Sequence, residues 1–151
     1  MSIEPTQHRS RQVAVVLEYF RRIDAGEFAA ELFAQQFQFY FPKFGVGHGT
    51  AEFMEMAGGL MITTVKQAEH DLERLIFIEQ GNKVAVEGTT KGTALDGTVW
   101  HGGRTAGGRF CSIFSFDADG LIDRMHIYLD PDYAGRDQDR FVWPPRSTQQ
   151  W

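Results

Sequence analysis

The chain has a single cysteine, Cys111, among its 151 residues. An intrachain disulfide is therefore impossible, and the absence of disulfides predicts a cytoplasmic location. The longest apolar runs are too short to cross a bilayer. The N-terminal MSIEPTQHRSRQ also lacks the apolar core of a signal peptide. These shortages predict a protein without a membrane partner.

Positive charge is scarce as well. The chain has 15 Lys and Arg residues against 20 Asp and Glu residues, which gives a formal net charge of −5. No basic cluster is long enough to follow a phosphate backbone, which predicts no nucleic-acid partner. The histidines show no i,i+2 or i,i+4 ligand spacing on one element. We therefore predict no metal and no cofactor for this chain. The histidines are His8, His48, His70, His101 and His126.

Phenylalanine, in contrast, is abundant, with 13 residues. So many rings indicate either a core built from aromatics or a pocket lined by them. The length predicts one domain over residues 1–151, with a core at about 12–133 and a tail at 134–151. The tail carries Phe141, Trp143 and Trp151, and we expect part of it to fold back onto the domain.

The first half of the chain reads mainly as helix. Apolar residues at three- and four-residue spacing predict a helix over Gln12–Asp24, and a second, short helix is expected at Phe28–Ala34. A strand over Gln36–Phe41 then leads into a Gly-rich loop at Phe44–Gly49. Thr50 is the expected N-cap of a third helix that ends near Met61.

The second half reads as strands joined by short turns. The expected strands are Gln67–Glu79, opened by His70, then Lys83–Thr93, a short strand that ends at Trp100, and the hairpin Arg109–Asp130 after a flexible loop. Helices followed by antiparallel strands predict an α+β fold, in which a curved antiparallel sheet wraps around N-terminal helices. Such a cone leaves an internal pocket for a small molecule.

Alternation in the hairpin assigns its two faces around the turn at Gly120. Ser112, Phe114, Met125 and Ile127 fall on the expected pocket face. Ile122, Arg124, His126 and Tyr128 fall on the opposite, convex face. We expect that convex face to pair with a second copy of the chain, which predicts a homodimer.

Several segments resemble the SnoaL-like branch of the nuclear transport factor 2-like superfamily. They are VVLEYFRRIDAGEF, the loop from Pro42 to Gly49, the lone His70, VAVEGTTKGTALDGTVW and FDADGLIDRMHIYLD. The resemblance covers roughly residues 12–133 and implies the cone-shaped α+β fold. The superfamily contains isomerases, dehydratases, cyclases, epoxide hydrolases and non-catalytic binders, so the fold alone does not give the reaction.

Asp24 and His70 match the acid–base pair of the dehydratases in this superfamily. The resemblance implies that His70 moves protons and that Asp24 orients it. The second histidine of those enzymes would fall near Lys91 or Gly92 and is missing here. The residues alone leave other roles open, since Asp24 can bond to the backbone of its own turn, Ala25–Glu27, and His70 can be a core residue.

Tyr19 resembles the oxyanion-donating tyrosine of the ketosteroid isomerases. The general base of those enzymes falls on Phe41, and their protonated aspartate falls on Ser112. The carboxylates of the related epoxide hydrolases likewise fall on Thr90 and Ile127. Without these carboxylates, the resemblance favours neither steroid isomerisation nor epoxide hydrolysis.

The combined prediction is a small cofactor-independent enzyme that acts on a hydrophobic cyclic molecule by dehydration or a related proton-transfer isomerisation or cyclisation. The predicted catalytic residues are His70, Asp24 and Tyr19. The predicted substrate-binding residues are Phe41, Trp100, Ser112, Phe114, Met125 and Ile127. Two alternatives stay open, a non-catalytic binding or dimerisation module and a polyketide cyclase. The first predicts a pocket that is dry, filled or closed by the tail, and the second needs an acid within the pocket.

Overall fold

A computed structural model of the chain describes residues 9–102, 105–137 and 140. Within these residues the structure contains two α-helices, α1 and α2, and eight strands, β1 to β8. Their order along the chain is α1 (Arg11–Asp24), β1 (Phe33–Phe41), β2 (Gly45–His48), α2 (Gly49–Thr63), β3 (Val65–His70), β4 (Ile76–Gln80), β5 (Lys83–Ala94), β6 (Val99–His101), β7 (Arg109–Phe116) and β8 (Ile122–Leu129).

The strands form one curved, unclosed sheet in the order β2-β1-β8-β7-β5-β3, with β4 and β6 also paired to β5. The predicted α+β fold is confirmed, but the sheet is mixed rather than antiparallel throughout. The exception is β1, which pairs with β8 in parallel. This pairing joins segments that lie more than 80 residues apart, so no local pattern in the sequence signals its direction.

Helix α1 lies against the concave side of the sheet. It begins at a Ser10 N-cap, whose hydroxyl accepts a hydrogen bond from the Val13 N–H at 3.1 Å. One stripe of the helix is buried in the main hydrophobic core together with rings from β1 and β7. The buried residues of that stripe are Val13, Val16, Leu17, Tyr19 and Phe20.

Three local predictions in the first half need correction. The expected helix at Phe28–Ala34 is only a 3₁₀ turn over Ala30–Leu32, because β1 already begins at Phe33. Part of the expected loop at Phe44–Gly49 is β2, which pairs antiparallel with the end of β1. Helix α2 begins at Gly49 with His48 as its N-cap, two residues before the predicted Thr50 cap.

The expected long strand over Gln67–Glu79 is two strands. A 3₁₀ turn at Leu72–Arg74 separates β3 from β4, and Leu72 and Leu75 pack against the main core from this turn. His70 therefore ends a strand instead of opening one. The turn interrupts the alternation that would have placed His70 and Ile76 on one face.

The hairpin β7–β8 forms as predicted, with one shift. Gly120 has a φ of 80° and its N–H donates to the Asp117 carbonyl at 3.1 Å, as a tight turn requires. The register then shifts between the Ser115 and Phe116 pairings. This bulge turns Ile122 into the core, where it is fully buried, and not onto the convex face with Arg124.

Strand β5 changes partners along its length. Its first part, up to Thr89, pairs with β7, and its last part pairs with β3 and β6. Gly92 lies where these strands crowd together, because a Cβ there would come within 2.1 Å of the Gln67 carbonyl oxygen and 2.4 Å of the Trp100 ring. Any side chain at position 92 would therefore clash with these neighbours, and only glycine fits.

No helix in the part of the chain that the structure describes is both long and apolar enough to cross a membrane. The tail rings Phe141, Trp143 and Trp151, which were expected to fold back, lie outside the described residues.

Candidate active site

Helix α1 ends at Asp24 and leaves its carboxylate free of the turn that follows. The N–H groups of Ala25, Gly26 and Glu27 all donate to helix carbonyls, those of residues 21 to 23. The local bond between Asp24 and its own turn is therefore absent. The carboxylate must find its partner elsewhere, because a buried charge without one is costly.

That partner is His70, at the end of β3. The Asp24 Oδ2 atom accepts a hydrogen bond from the His70 backbone N–H at 2.9 Å. The Oδ1 atom lies 2.6 Å from Nδ1 of the His70 ring. Both side chains are largely buried, at 24% exposure for His70 and 14% for Asp24. One carboxylate thus fixes both the backbone and the ring of the histidine.

The ring of His70 is also held by two aromatic neighbours. Its centroid lies 4.6 Å from that of Phe20 on α1 and 5.0 Å from that of Phe110 on β7. With Nδ1 engaged by Asp24, Nε2 is the ring nitrogen left for exchange of a proton with a ligand. This arrangement, a histidine oriented by a carboxylate, suits general acid–base chemistry.

Asp24 and His70 line a cavity of about 440 Å³, a volume typical of small-molecule sites. Most of its wall is apolar. Helices contribute Phe20, Ile23, Phe53, Met56, Ala57 and Leu60. The sheet contributes Phe41, Phe110, Ile127 and Leu129. The acid–base pair therefore lies in the wall of a mostly hydrophobic chamber.

Tyr19 also lines this cavity and is 4% exposed. Burial raises the pKa of its phenol, and the negative charge of Asp24 raises the pKa further. The phenol therefore stays protonated at neutral pH and can donate a hydrogen bond. All three residues predicted as catalytic thus meet at one cavity.

The predicted binding residues divide into two groups. Phe41, Ser112 and Ile127 line the cavity. Phe114 and Met125 are on the correct face of the sheet but lie outside the described cavity wall, since both are fully buried in the main core. Alternation predicts the face of the sheet on which a side chain lies. It does not predict whether that side chain packs in the core or lines the cavity.

Trp100 is the third predicted binding residue outside the described cavity wall. It belongs to a second, smaller core cluster with Val65, Ala94 and Tyr133. Its indole N–H donates to the Thr90 hydroxyl at 3.0 Å, which anchors the ring between strands. Trp100 thus supports the cavity from behind.

Sequence reasoning missed several contributors to the cavity, and two of them are instructive. One is Tyr133, which follows β8 at the end of the predicted core and was not among the predicted site residues. The other is α2, which supplies Met54, Ala57, Gly58 and Met61. Their i, i+3, i+4, i+7 spacing is the signal that could have identified this face of the helix.

The opposite face of the sheet holds a different histidine, His126. Its Nε2 accepts a hydrogen bond from Arg124 Nε at 2.9 Å and lies 2.8 Å from the Gln38 side-chain amide. Burial lowers the pKa of His126, and the positive charges of Arg124 and Lys83 lower the pKa further. The subunit contact expected on this face stays a prediction.

Within residues 9–102, 105–137 and 140, no three His, Cys, Asp or Glu side chains converge as metal ligands would. Groups that could hold an organic ligand lie instead in the cavity wall. Beside Asp24 and His70, its polar residues are Tyr19, Lys66, Gln67, Thr90, Ser112 and Tyr133.

Comparison with known proteins identifies the fold. Residues 16–125 match the sequence profile of the SnoaL-like domain. No curated protein sequence matches the chain significantly. Among solved structures, an NTF2-like protein of unknown function from Burkholderia pseudomallei has a TM-score of 0.63 at 21% identity, over 82% of this chain and 93% of that one.

Two further structures are similar. TerC, co-crystallised with polyporic acid, has a TM-score of 0.66 at 21% identity, over 80% of this chain and 92% of that one. A provisionally named polyketide cyclase from Pseudomonas putida has a TM-score of 0.63 at 17% identity, over 84% and 97%. At such identities the likeness shows the fold. Together with the profile match, it establishes that the chain belongs to the SnoaL-like family and has the NTF2-like fold.

Proposed function

We propose that this protein is a cofactor-independent enzyme that acts on a hydrophobic cyclic molecule by acid–base chemistry. The reaction is dehydration or a related proton-transfer isomerisation. His70 is the general base and acid, Asp24 orients it, and Tyr19 polarises a carbonyl of the substrate. The observation that carries the proposal is the pair of contacts by which Asp24 fixes His70 in the wall of an apolar cavity.

The proposed reaction needs no reagent beyond these side chains. His70 Nε2 takes a proton from a carbon next to the substrate carbonyl, and the electron pair of that C–H bond forms an enolate. The Tyr19 phenol donates a hydrogen bond to the enolate oxygen. The imidazolium, stabilised by the Asp24 carboxylate, then protonates the β-hydroxyl. The C–O bond breaks, and water leaves as the carbon–carbon double bond forms.

Proton abstraction can be tested before the substrate is known. The probe is 5-nitrobenzisoxazole, whose ring opens to a coloured phenolate when a base removes its carbon-bound proton. We expect the wild type to accelerate this reaction over buffer. His70→Asn should lower kcat/KM at least about 100-fold, the lower end of what general-base catalysis contributes.

The matched control is His126→Asn, which removes a histidine from the opposite face of the same sheet. This variant should keep the wild-type rate, because His126 lies outside the cavity wall in the described part of the chain. Equal rates for wild type and His70→Asn would contradict the proposed mechanism.

A polyketide-type cyclisation is the second candidate. It needs a base and an acid in one cavity, and His70 and Tyr19 both line the same chamber. Mass spectrometry of the products separates the two reactions, because dehydration removes one water whereas an aldol ring closure conserves the mass.

The non-catalytic alternative fits the structure less well. It predicts a pocket that is dry, filled or closed by the tail, and an Asp24 carboxylate bonded only to its own turn. Asp24 is instead bonded to His70. This alternative gains support if the benzisoxazole probe is bound but not opened.

A further inference from the structure

Tyr133 is a buried phenol that the proposed reaction does not use. It follows β8, is 5% exposed and lines the same cavity as His70. Its hydroxyl makes no hydrogen bond within the part of the chain that the structure describes. The hydroxyl is not among the fully enclosed, unsatisfied polar atoms, so it is open to the cavity. Buried tyrosines usually hydrogen-bond through this group, and a molecule in the cavity can supply the partner that the described residues do not.

The ring of Tyr133 is held by packing against neighbouring residues. It packs on Trp100 with a centroid distance of 4.7 Å. A Cβ at Gly107 would come within 2.5 Å of the Tyr133 ring, so the backbone of residue 107 lies directly against it. The Thr90 hydroxyl donates to the Gly107 carbonyl at 3.0 Å and accepts from the Trp100 indole. The position of the ring is thus set by three separate elements.

The backbone around Tyr133 is fixed too. The Asp132 carboxylate accepts hydrogen bonds from the N–H groups of Arg136 and Asp137, at 2.8 and 3.0 Å. The Asp132 carbonyl accepts from the Gly107 N–H at 3.2 Å. Arg136 in turn forms an ion pair with Asp96. A phenol held this firmly is pre-organised to bind a ligand.

Tyr133 and Tyr19 line the same cavity but belong to different core clusters. Tyr19 belongs to the main core, with Phe20 and Phe114, whereas Tyr133 belongs to the second cluster with Trp100. Burial raises the pKa of Tyr133, so its phenol stays protonated and donates. The chamber therefore offers two phenol donors, one from each core cluster.

We propose that Tyr133 is a ligand-binding residue whose hydroxyl donates to an oxygen of the substrate other than the reacting carbonyl. This rests on the proposed function only in assuming that the ligand fills the same cavity. It narrows the substrate to cyclic molecules with at least two hydrogen-bond-accepting oxygens. A cyclic molecule whose only oxygen is the reacting carbonyl would leave the Tyr133 hydroxyl unpaired.

The test uses three probes of one shape that differ in oxygen count, 1,4-diacetylbenzene, 4-ethylacetophenone and 1,4-diethylbenzene. Their affinities for the protein are measured by titration with ligand-observed NMR. In the wild type, the second acetyl group should tighten binding about fivefold, the value of one hydrogen bond. In Tyr133→Phe this gain should vanish, while the affinity for 1,4-diethylbenzene stays the same.

Three results would overturn the proposal. The second acetyl group brings no gain in the wild type, or its gain survives in Tyr133→Phe, or all three probes weaken equally in the variant. The first needs no variant, so the test holds even if Tyr133→Phe folds poorly. Because binding is measured without turnover, a negative result here does not contradict the proposed reaction of His70. Likewise, an inactive His70 would not change how these affinities are interpreted.

Discussion

The two faces of the sheet each carry a histidine in a polar cluster, and the clusters differ in the sign of the neighbouring charge. On the concave face, His70 is bonded to a carboxylate and packed between two aromatic rings. On the convex face, His126 accepts a hydrogen bond from the Arg124 guanidinium. A carboxylate stabilises the imidazolium that a proton-abstracting histidine becomes, whereas a guanidinium opposes it.

The difference shows that the partner of a histidine is more informative than its presence on a sheet face. Both residues fall in alternating segments of the sequence, and both are partly buried. Only one of them combines an anionic partner with a position in the cavity wall of the described residues. The following variants test how far this contrast between the faces extends.

The largest effect is expected on stability, from neighbouring residues of β7. Phe114 on the concave face is fully buried, whereas Ile113 on the convex face is partly exposed. Phe114→Ala should lower the free energy of unfolding by about 3–5 kcal/mol, since a large ring is lost from a packed core. Ile113→Ala should cost about 1 kcal/mol. Urea denaturation measures both, and equal losses would contradict the assignment of the core to one face.

The next effect concerns the partner of His70. Asp24→Asn can still accept a hydrogen bond from the His70 backbone N–H, but it removes the negative charge beside the ring. We expect kcat/KM for 5-nitrobenzisoxazole to fall about 100-fold. Asp130→Asn, at an exposed carboxylate near Lys43, is the matched control and should react at the wild-type rate. A wild-type rate in Asp24→Asn would show that the carboxylate serves only the fold.

The smallest effect is expected at His126. Its pKa is lowered in the folded protein, so the unfolded chain takes up the proton first as the pH falls. The contribution of His126 to stability is therefore complete above the ordinary histidine pKa of about 6.5 and is lost below it. Unfolding of His126→Gln should depend less on pH between 5.5 and 7.5 than that of the wild type. An unchanged pH dependence would contradict the lowered pKa.

Much of this contrast could be predicted from the sequence. Alternation in β7 and β8 assigned Phe114, Met125 and Ile127 to the concave face and His126 to the convex face. The resemblance to the dehydratases brought Asp24 and His70 together across 46 residues, a separation over which no local pattern acts. Periodicity and family likeness thus predicted different parts of the same site.

The remaining features depend on long-range packing. The parallel pairing of β1 with β8 and the bulge that buries Ile122 are set by tertiary contacts and not by neighbours in sequence. The break at Leu72–Arg74 places an apolar turn where alternation also fits a strand. Tyr133 was missed because it lies beyond the last strand, where no period marks which ring faces the cavity.

The two oxygens of Asp24 have different partners, one the backbone of residue 70 and the other its side chain. One oxygen binds the backbone N–H at position 70, a group that every amino acid except proline possesses. The anchor between the first helix and the sheet therefore does not require histidine. A substitution at position 70, other than proline, therefore leaves this contact between helix and sheet in place, so the chemistry of the side chain can change without loss of the anchor.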